Sequence, residues 1–322
     1  MKDIIGFGAL NVDFIYKVGS LDNLESRQRR LKPGGEVYAS LEEFEPILER
    51  LLKIGTLVSK SGGGQAANTT YALAKMGFSA GFVGKVGTDP NGDFLIRSLE
   101  SVDTSRIARE GVSGVCLAIL DKSRDRSNLV FPNANNTLAF DEMDLDYVAA
   151  ARYLHVTSFA GEVPFQVQNE VLEHIPDAVK LSFDPGEIYA RFGVEKLLPI
   201  LRRASVVFIT DAEIRILTGK DYKSGAAKLL ELGPQVVACK MGEGGSYVLS
   251  GQSEFRIPAP KVKVVDRTGA GDVFAAGFLA GQLKERSLYK SARFATEAAS
   301  WSITEYGRAR YPDISFLQEK LR

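Results

Sequence analysis

A mostly parallel β-sheet with helices on both faces is the fold class this chain predicts, and three observations predict it. Short apolar runs recur between amphipathic helical stretches: IIGFGA at 4–9, AGFVGKVG at 80–87, RYLHVTS at 152–158, KLSFDPG at 180–186 and SVVFIT at 205–210. These runs are apolar almost throughout rather than alternating, as strands covered on both sides must be. Glycine-rich segments follow strand ends, where such sheets carry their ligand sites.

The chain has 322 residues, enough for a sizeable core in one large domain or two smaller ones. Hydrophobic residues make up 45% and charged residues 25%, the balance of a globular protein. Lys+Arg and Asp+Glu both number 40, so no basic field exists to recruit nucleic acid or an anionic membrane. No apolar run reaches the roughly 18 residues needed to span a bilayer. MKDIIGFGAL enters a strand directly without a signal-peptide layout, and a cytoplasmic protein is expected. Cys116 and Cys239 lie far apart in apolar surroundings and read as buried thiols of a reducing compartment. His155 and His174 have no neighbours that suggest a metal site or a Ser-His-Asp triad, and both read as structural.

Taken in order, a first strand at 4–9 is followed by a mixed region from about 12 to 60. That region holds FIYKV (14–18), the charged run ESRQRRLKP (25–33) and LEEFEPILERLLK (41–53), a helix with Leu41, Phe44, Ile47, Leu48, Leu51 and Leu52 on one face. LVSKSGGG leads into a helix that opens after three glycines. A strand at 80–87 precedes a turn and a helix at 89–102, and VCLAILD with SNLVF form a hairpin around KSRDR. From 150 onward, strands at 152–158, 180–186 and 205–210 alternate with helices near 165–174 and 193–203. DAEIRILTG is a short helix stopped by Gly219, and another helix covers about 224–232. QVVACKMGEGG and SYVLSG follow, and helices near 271–284 and 287–305 close the chain.

The chemistry concentrates in VDRTGAGD, residues 265–272. Read as strand end, loop and helix start, it places the N–H groups of Gly269, Ala270 and Gly271 where unpaired donors and the helix dipole bind an anion. Asp272 then has two readings. It is an N-terminal acid that complements the dipole, or a base that takes a proton from a hydroxyl attacking a phosphoryl group. GALNVD (8–13) ends the first strand with Asn11 and Asp13, which point the same way in extended chain. SGGGQAAN (61–68) brings Gly63, Gly64, Gln65 and Asn68 to another helix start, with glycines that admit a ligand close to the backbone. Amide, carboxylate and bare backbone donors together suit a polyhydroxylated ligand, although Asn11 and Asp13 could equally turn the chain and the glycines permit a tight loop.

Two of these stretches, GGGQAANTTYALAKMG (62–77) and DRTGAGDVFAAGF (266–278), carry a family resemblance, supported by GALNVD, by KMGEGGS (240–246) and by the polar hairpin. The chain resembles the ribokinase-like PfkB family of carbohydrate and nucleoside kinases over essentially its whole length. The resemblance implies a three-layer α/β/α sandwich with a mostly parallel central sheet, built from 1–11, 61–113 and 134–322. It implies a small β-rich lid from 12–60 and 114–133. It also implies transfer of the γ-phosphoryl group of ATP to a hydroxymethyl group. Asp272 is then the base, the 269–271 loop the anion hole, and Asn11, Asp13, Gly63, Gly64, Gln65 and Asn68 the acceptor-binding residues. Lys240, Gly242, Gly245, Thr268, Ala298 and Ser302 fall to the nucleotide, with Trp301 near the adenine and Arg267 a further phosphate candidate. Mg²⁺ is expected through water at Glu213, and K⁺ is the monovalent cation expected beside Asp266. One departure stands out: where the family has N-x-x-E, this chain has Thr210-Asp211-Ala212-Glu213.

The expected partner is a small sugar or sugar-like acceptor. A nucleoside is the alternative, suggested by the helix-bearing 14–60 region, by FPNANNTL (131–138) and by EYGRARYPD, with Phe14, Tyr16, Phe131 and Phe159 as a possible base slot. The number of copies stays open between a monomer and a homodimer through the lid. A P-loop is excluded because neither Gly84-Lys85 nor Gly219-Lys220 is followed by Ser or Thr. A Rossmann dehydrogenase lacks its G-x-G-x-x-G, and a sensor without turnover has only Thr210 in its favour.

Overall fold

The computed structural model describes residues 1–20, 36–38, 41–120 and 126–321. The charged run ESRQRRLKP lies outside them. The strands are β1 (Lys2–Phe7), β2 (Asn11–Lys17), β3 (Glu36–Tyr38), β4 (Thr56–Gly63), β5 (Ala80–Val86), β6 (Val102–Arg109) and β7 (Gly114–Leu120). They continue with β8 (Arg126–Phe131), β9 (Ala151–Thr157), β10 (Lys180–Asp184), β11 (Ala204–Thr210), β12 (Val236–Lys240), β13 (Ser246–Ser250) and β14 (Glu254–Ile257). The helices are α1 (Leu41–Ile54), α2 (Gln65–Lys75), α3 (Pro90–Arg97), α4 (Leu145–Ala149), α5 (Glu162–His174) and α6 (Gly186–Ala190). After them come α7 (Val194–Arg203), α8 (Asp211–Thr218), α9 (Tyr222–Glu231), α10 (Ala270–Leu283), α11 (Leu288–Ser302) and α12 (Ile314–Lys320).

Nine strands form one sheet in the order β14-β13-β12-β11-β10-β9-β1-β5-β6, parallel from β12 to β6 with an antiparallel edge of β13 and β14. The pleat divides its side chains between two cores. Ile4, Phe82, Val206 and Phe208 pack with Leu73 of α2, Phe274 and Phe278 of α10 and Phe294 of α11. Ile5, Leu154, Val207 and Ile209 pack on the other face with Val171 of α5, Leu197 of α7, Ile214 of α8 and Leu229 of α9. This is the three-layer sandwich, with burial on both faces explaining why the strands read as unbroken apolar runs. Removing one of the large buried rings, such as Phe278, would cost about 3–5 kcal/mol.

A second, mixed sheet runs β3-β8-β7-β2-β4. The sequence hairpin is its β7–β8 pair, with Cys116 opposite Val130. Tyr16, Leu117, Phe131 and Leu51 of α1 form its own small core. Leu52, expected on the buried face of α1, is 62% exposed, because the inward stripe runs through Ile47 and Leu51. The helix expected over 89–102 ends at Arg97 and gives way to β6. Both cysteines are buried, as expected. No helix among the described residues is long and apolar enough to cross a membrane.

Candidate active site

The two sheets meet where two helices begin, and each begins at a glycine. Gly269 caps α10 with φ +72°, and Gly64 caps α2 with φ +114°. Neither helix has a side-chain cap, which leaves first-turn N–H donors for a ligand. The Ala270 N–H makes a long 3.3 Å bond to the Arg267 carbonyl. Any side chain at Gly269 would collide with the Tyr311 hydroxyl, and one at Gly64 with the Ala9 carbonyl.

Asp272 stands in the first turn of α10 and lines a cavity of about 170 Å³ between the sheets. Asn68, one turn into α2, donates from Nδ2 to Asp272 Oδ2 at 2.7 Å. Thr69 Oγ1 donates to the Asp272 carbonyl at 3.1 Å. Burial pushes the Asp272 carboxyl up to about 7. The Asn68 bond, Lys240 and Arg308 oppose that rise, and neighbouring Asp184 adds to it. A carboxyl so placed serves as a proton acceptor near neutral pH.

Behind Asp272 lies a layer of buried charge. Asp184, at the end of β10, and Lys240, at the end of β12, form an ion pair of 2.5 Å with side chains 2% and 11% exposed. Burial alone would lower the Lys240 ammonium, but Asp184 and Glu213 outweigh it and hold the pKa above the usual lysine range. Lys240, expected at a phosphate, is therefore committed to Asp184, with its Nζ beside Gly271. Glu213 belongs to a capping box: Thr210 N–H donates to Glu213 Oε2 at 2.8 Å, and Glu213 N–H donates to Thr210 Oγ1 at 3.1 Å. Thr210 thus caps α8 through its hydroxyl, in the place where the family motif has asparagine.

The acceptor side is made of amides, hydroxyls and the carboxylate of Asp13. Asn11 and Asp13 lie in β2 opposite Gly63 and Ser61 of β4. A side chain at Gly63 would run into the Asp13 carboxylate. Asn135 is fully buried and accepts from Leu10 N–H at 2.8 Å. Its Nδ2 lies within bonding distance of the Leu10 carbonyl (2.9 Å) and of Asn11 Oδ1 (3.0 Å). Gln65 Oε1 accepts from Ser158 Oγ at 3.3 Å.

The cavity brings together Asn11, Asp13, Gly64, Gln65, Asn68, Thr268, Gly269 and Asp272. Other expected residues stand off its wall. Asp266 staples the loop, its two oxygens accepting from Thr268 N–H at 2.9 Å and Gly307 N–H at 3.0 Å. Arg267 reaches across to exposed Glu243 at 2.6 Å. Gly242 has φ +54° with open space around it, whereas a side chain at Gly245 would meet the Ile257 carbonyl. Ala298 and Ser302 are buried in α11, and Trp301 packs on Phe316 beneath Arg310. The four aromatics offered as a base slot do not line the cavity. Tyr16 and Phe131 fill the small sheet's core, Phe159 packs edge-on to Phe7, and Phe14 lies partly buried between the small sheet's core and the large-sheet core that holds α2 and α10. His155 does lie 3.0 Å from Ser182 Oγ, but both are buried in the large sheet, out of reach of any substrate.

Among the described residues no group of three His, Cys, Asp or Glu is arranged to hold a metal. Glu213, with one oxygen already bonded to backbone, suits a cation that keeps its water shell and is held chiefly by a nucleotide, as Mg²⁺ is. Asp184, Asn135 and Arg308 belong to the site and were not singled out in the sequence. Asp184 sits in KLSFDPG, which reads only as a strand end, and the other two reach the site through contacts far apart in the chain.

The pfkB family carbohydrate kinase domain matches residues 35–313. The chain is similar to an uncharacterised sugar kinase of Archaeoglobus fulgidus, 34% identical over 238 residues that cover 73% of this chain and 95% of that protein. It is also similar to an ATP-dependent ribose-1-phosphate kinase of Halopiger xanaduensis, 29% identical, with 81% and 88% covered. The solved adenosine kinase of Sinorhizobium meliloti has the same fold, with a TM-score of 0.88 at 21% identity over 100% of this chain and 99% of that one.

Proposed function

The chain belongs to the pfkB family of carbohydrate kinases, which phosphorylate sugar-like substrates with ATP, and we propose that it phosphorylates a hydroxymethyl group of a compact sugar with Asp272 as the base. The observation that carries this reading is the Asp272 carboxylate, buried at an uncapped helix start, tethered at one oxygen by Asn68 and opening on a small polar cavity. Tethering Oδ2 leaves Oδ1 to take the acceptor proton as the hydroxyl attacks the γ-phosphorus. The first-turn N–H groups of α10 then stabilise the charge on the transferred group. Asn11, Asp13 and Gln65 hold the remaining hydroxyls, and the lid sheet excludes water that would compete as acceptor. Mg²⁺ would neutralise the phosphates, with Glu213 ordering one of its waters. Asp266 is the carboxylate beside which K⁺ would sit.

Among the described residues the lining has no aromatic ring on which a nucleobase could stack, and its apolar side chains, Val130, Pro132 and Ile188 among them, are small, which favours a polyol over a nucleoside. The test is ADP release with Mg-ATP across hexoses, pentoses, sugar acids, phosphorylated sugars and nucleosides, each with and without K⁺. The expected result is one strong acceptor among the sugars and faster turnover with K⁺. A nucleoside as the sole strong acceptor would overturn the substrate class while leaving the kinase chemistry intact.

A further inference from the structure

The turn that follows α11 carries a half-buried guanidinium, Arg308, for which the phosphoryl-transfer chemistry above has no role. Arg308 Nε donates to Asn68 Oδ1 at 3.0 Å, and Nη1 donates to the Ser98 carbonyl at 2.9 Å. Its Cζ lies over the Tyr71 ring, 4.7 Å from the ring centre. Nη2 is buried, without a hydrogen-bond partner among the described residues. The turn is fastened to the same face of α2 a second time, where Lys75 Nζ donates to the Tyr311 carbonyl at 3.2 Å and the Tyr311 ring packs on Tyr71. Asn68, Tyr71 and Lys75 are spaced to share that face. Placing a guanidinium inside protein, with one nitrogen unsatisfied, costs stability that a small apolar residue would not. What it gains is the orientation of one amide.

We propose that Arg308 is a positioning residue, which fixes Asn68 with its oxygen toward the guanidinium and its Nδ2 toward Asp272. A guanidinium has donors only, so the amide oxygen must face it. The Asn68 NH₂ is then forced onto Asp272 Oδ2, and Asp272 Oδ1 is kept open to the acceptor. Without Arg308 the amide is free to flip, placing its oxygen against the carboxylate, where it repels the ionised form. The inference rests on Asp272 being the base.

The charged and titratable groups that act on Asp272 are Asp184 from β10, Lys240 from β12, and Arg308 and Tyr311 from the turn after α11; Glu213 of α8 acts on Lys240, and Asp13 of β2 and Asp266 of the loop act on Tyr311. Of these, Arg308 alone bonds to the amide that touches the carboxylate. Removing its charge leaves Asp272 protonated to higher pH, so the acid limb of kcat/KM moves up.

The experiment is a double-mutant cycle of Arg308→Met and Asn68→Ala, with pH profiles and thermal unfolding for each. Each single change is expected to lower kcat about tenfold, as members of one hydrogen-bond network do, and the double variant to lose little more. Arg308→Lys keeps the charge without the planar fork, so it should hold the acid limb near its original pH while kcat stays low. It carries the same cycle if the methionine variant does not fold. Losses that multiply in the double variant, or an acid limb unmoved in Arg308→Met, would overturn the proposal. Asp272→Asn measured alongside separates the levels. Full turnover there overturns the base and Arg308 together, whereas lost turnover with a multiplicative cycle overturns Arg308 alone.

Discussion

At the start of α10 the site is ringed by charge, with Asp272 among Asp184, Lys240, Glu213 and Arg308. At the start of α2, and in β2 facing it, the wall is largely amide and hydroxyl, with Asn11, Gln65 and Ser158 held by neutral hydrogen bonds and by Asn135. The charged side sets the proton affinity of one carboxylate, where a fixed ion a few ångströms away outweighs any change of shape. The second side, where Asp13 is the carboxylate among amides and hydroxyls, fixes the places of hydroxyl partners, and there geometry decides. Changes on the first side should therefore appear in turnover and stability, and changes on the second in acceptor KM.

The largest expected effect comes from Lys240→Met, which strands Asp184 as a buried, unpaired carboxylate. Breaking such a pair costs about 3–5 kcal/mol, readable as a shift of the urea midpoint, and Asp184→Asn in the same chain should recover much of it. Recovery would place the loss in stranded charge, and its absence would place it in packing. A smaller effect is expected from Asn135→Ala, which leaves the buried Leu10 N–H unpaired at about 1–3 kcal/mol and releases Asn11. Acceptor KM should rise several-fold with kcat much less changed. A fall in kcat alone would break the division between the two sides. The smallest is Arg267→Gln: the pair with Glu243 is exposed and screened, so stability should not change within error.

Much of this was legible in the sequence because both helix starts are spelled locally. Gly64 and Gly269 hold backbone conformations that glycine adopts freely, and the polar residues of the site follow within a turn. The apolar strands were legible for the same local reason. β6 and β14 were not, since VDTSRIAR and EFRI carry charges at the sheet edges and lack the unbroken apolar run of the inner strands. The supports of the site were also hidden. Asn135 reaches Leu10 across 125 positions and Arg308 reaches Asn68 across 240, separations at which no spacing rule operates. The packing of Trp301 on Phe316 of α12 was hidden for the same reason, since it joins two helices that no spacing rule relates.

The most direct test is the turnover of Asp272→Asn, measured with its ATP affinity and its stability across pH. The account expects kcat to fall by roughly 10²–10⁴ with nucleotide affinity unchanged, the usual share of a general base. It also expects a more stable protein. A carboxyl whose pKa rises on folding stabilises the fold while protonated and loses that contribution as pH climbs from about 4 through about 7. The variant should therefore melt higher than the wild type at pH 8, by a margin that closes toward pH 4. An amide at 272 that turns over as fast as the acid, or that gains no stability at pH 8, would contradict the assignment of Asp272 as a buried base tuned by its charged neighbours.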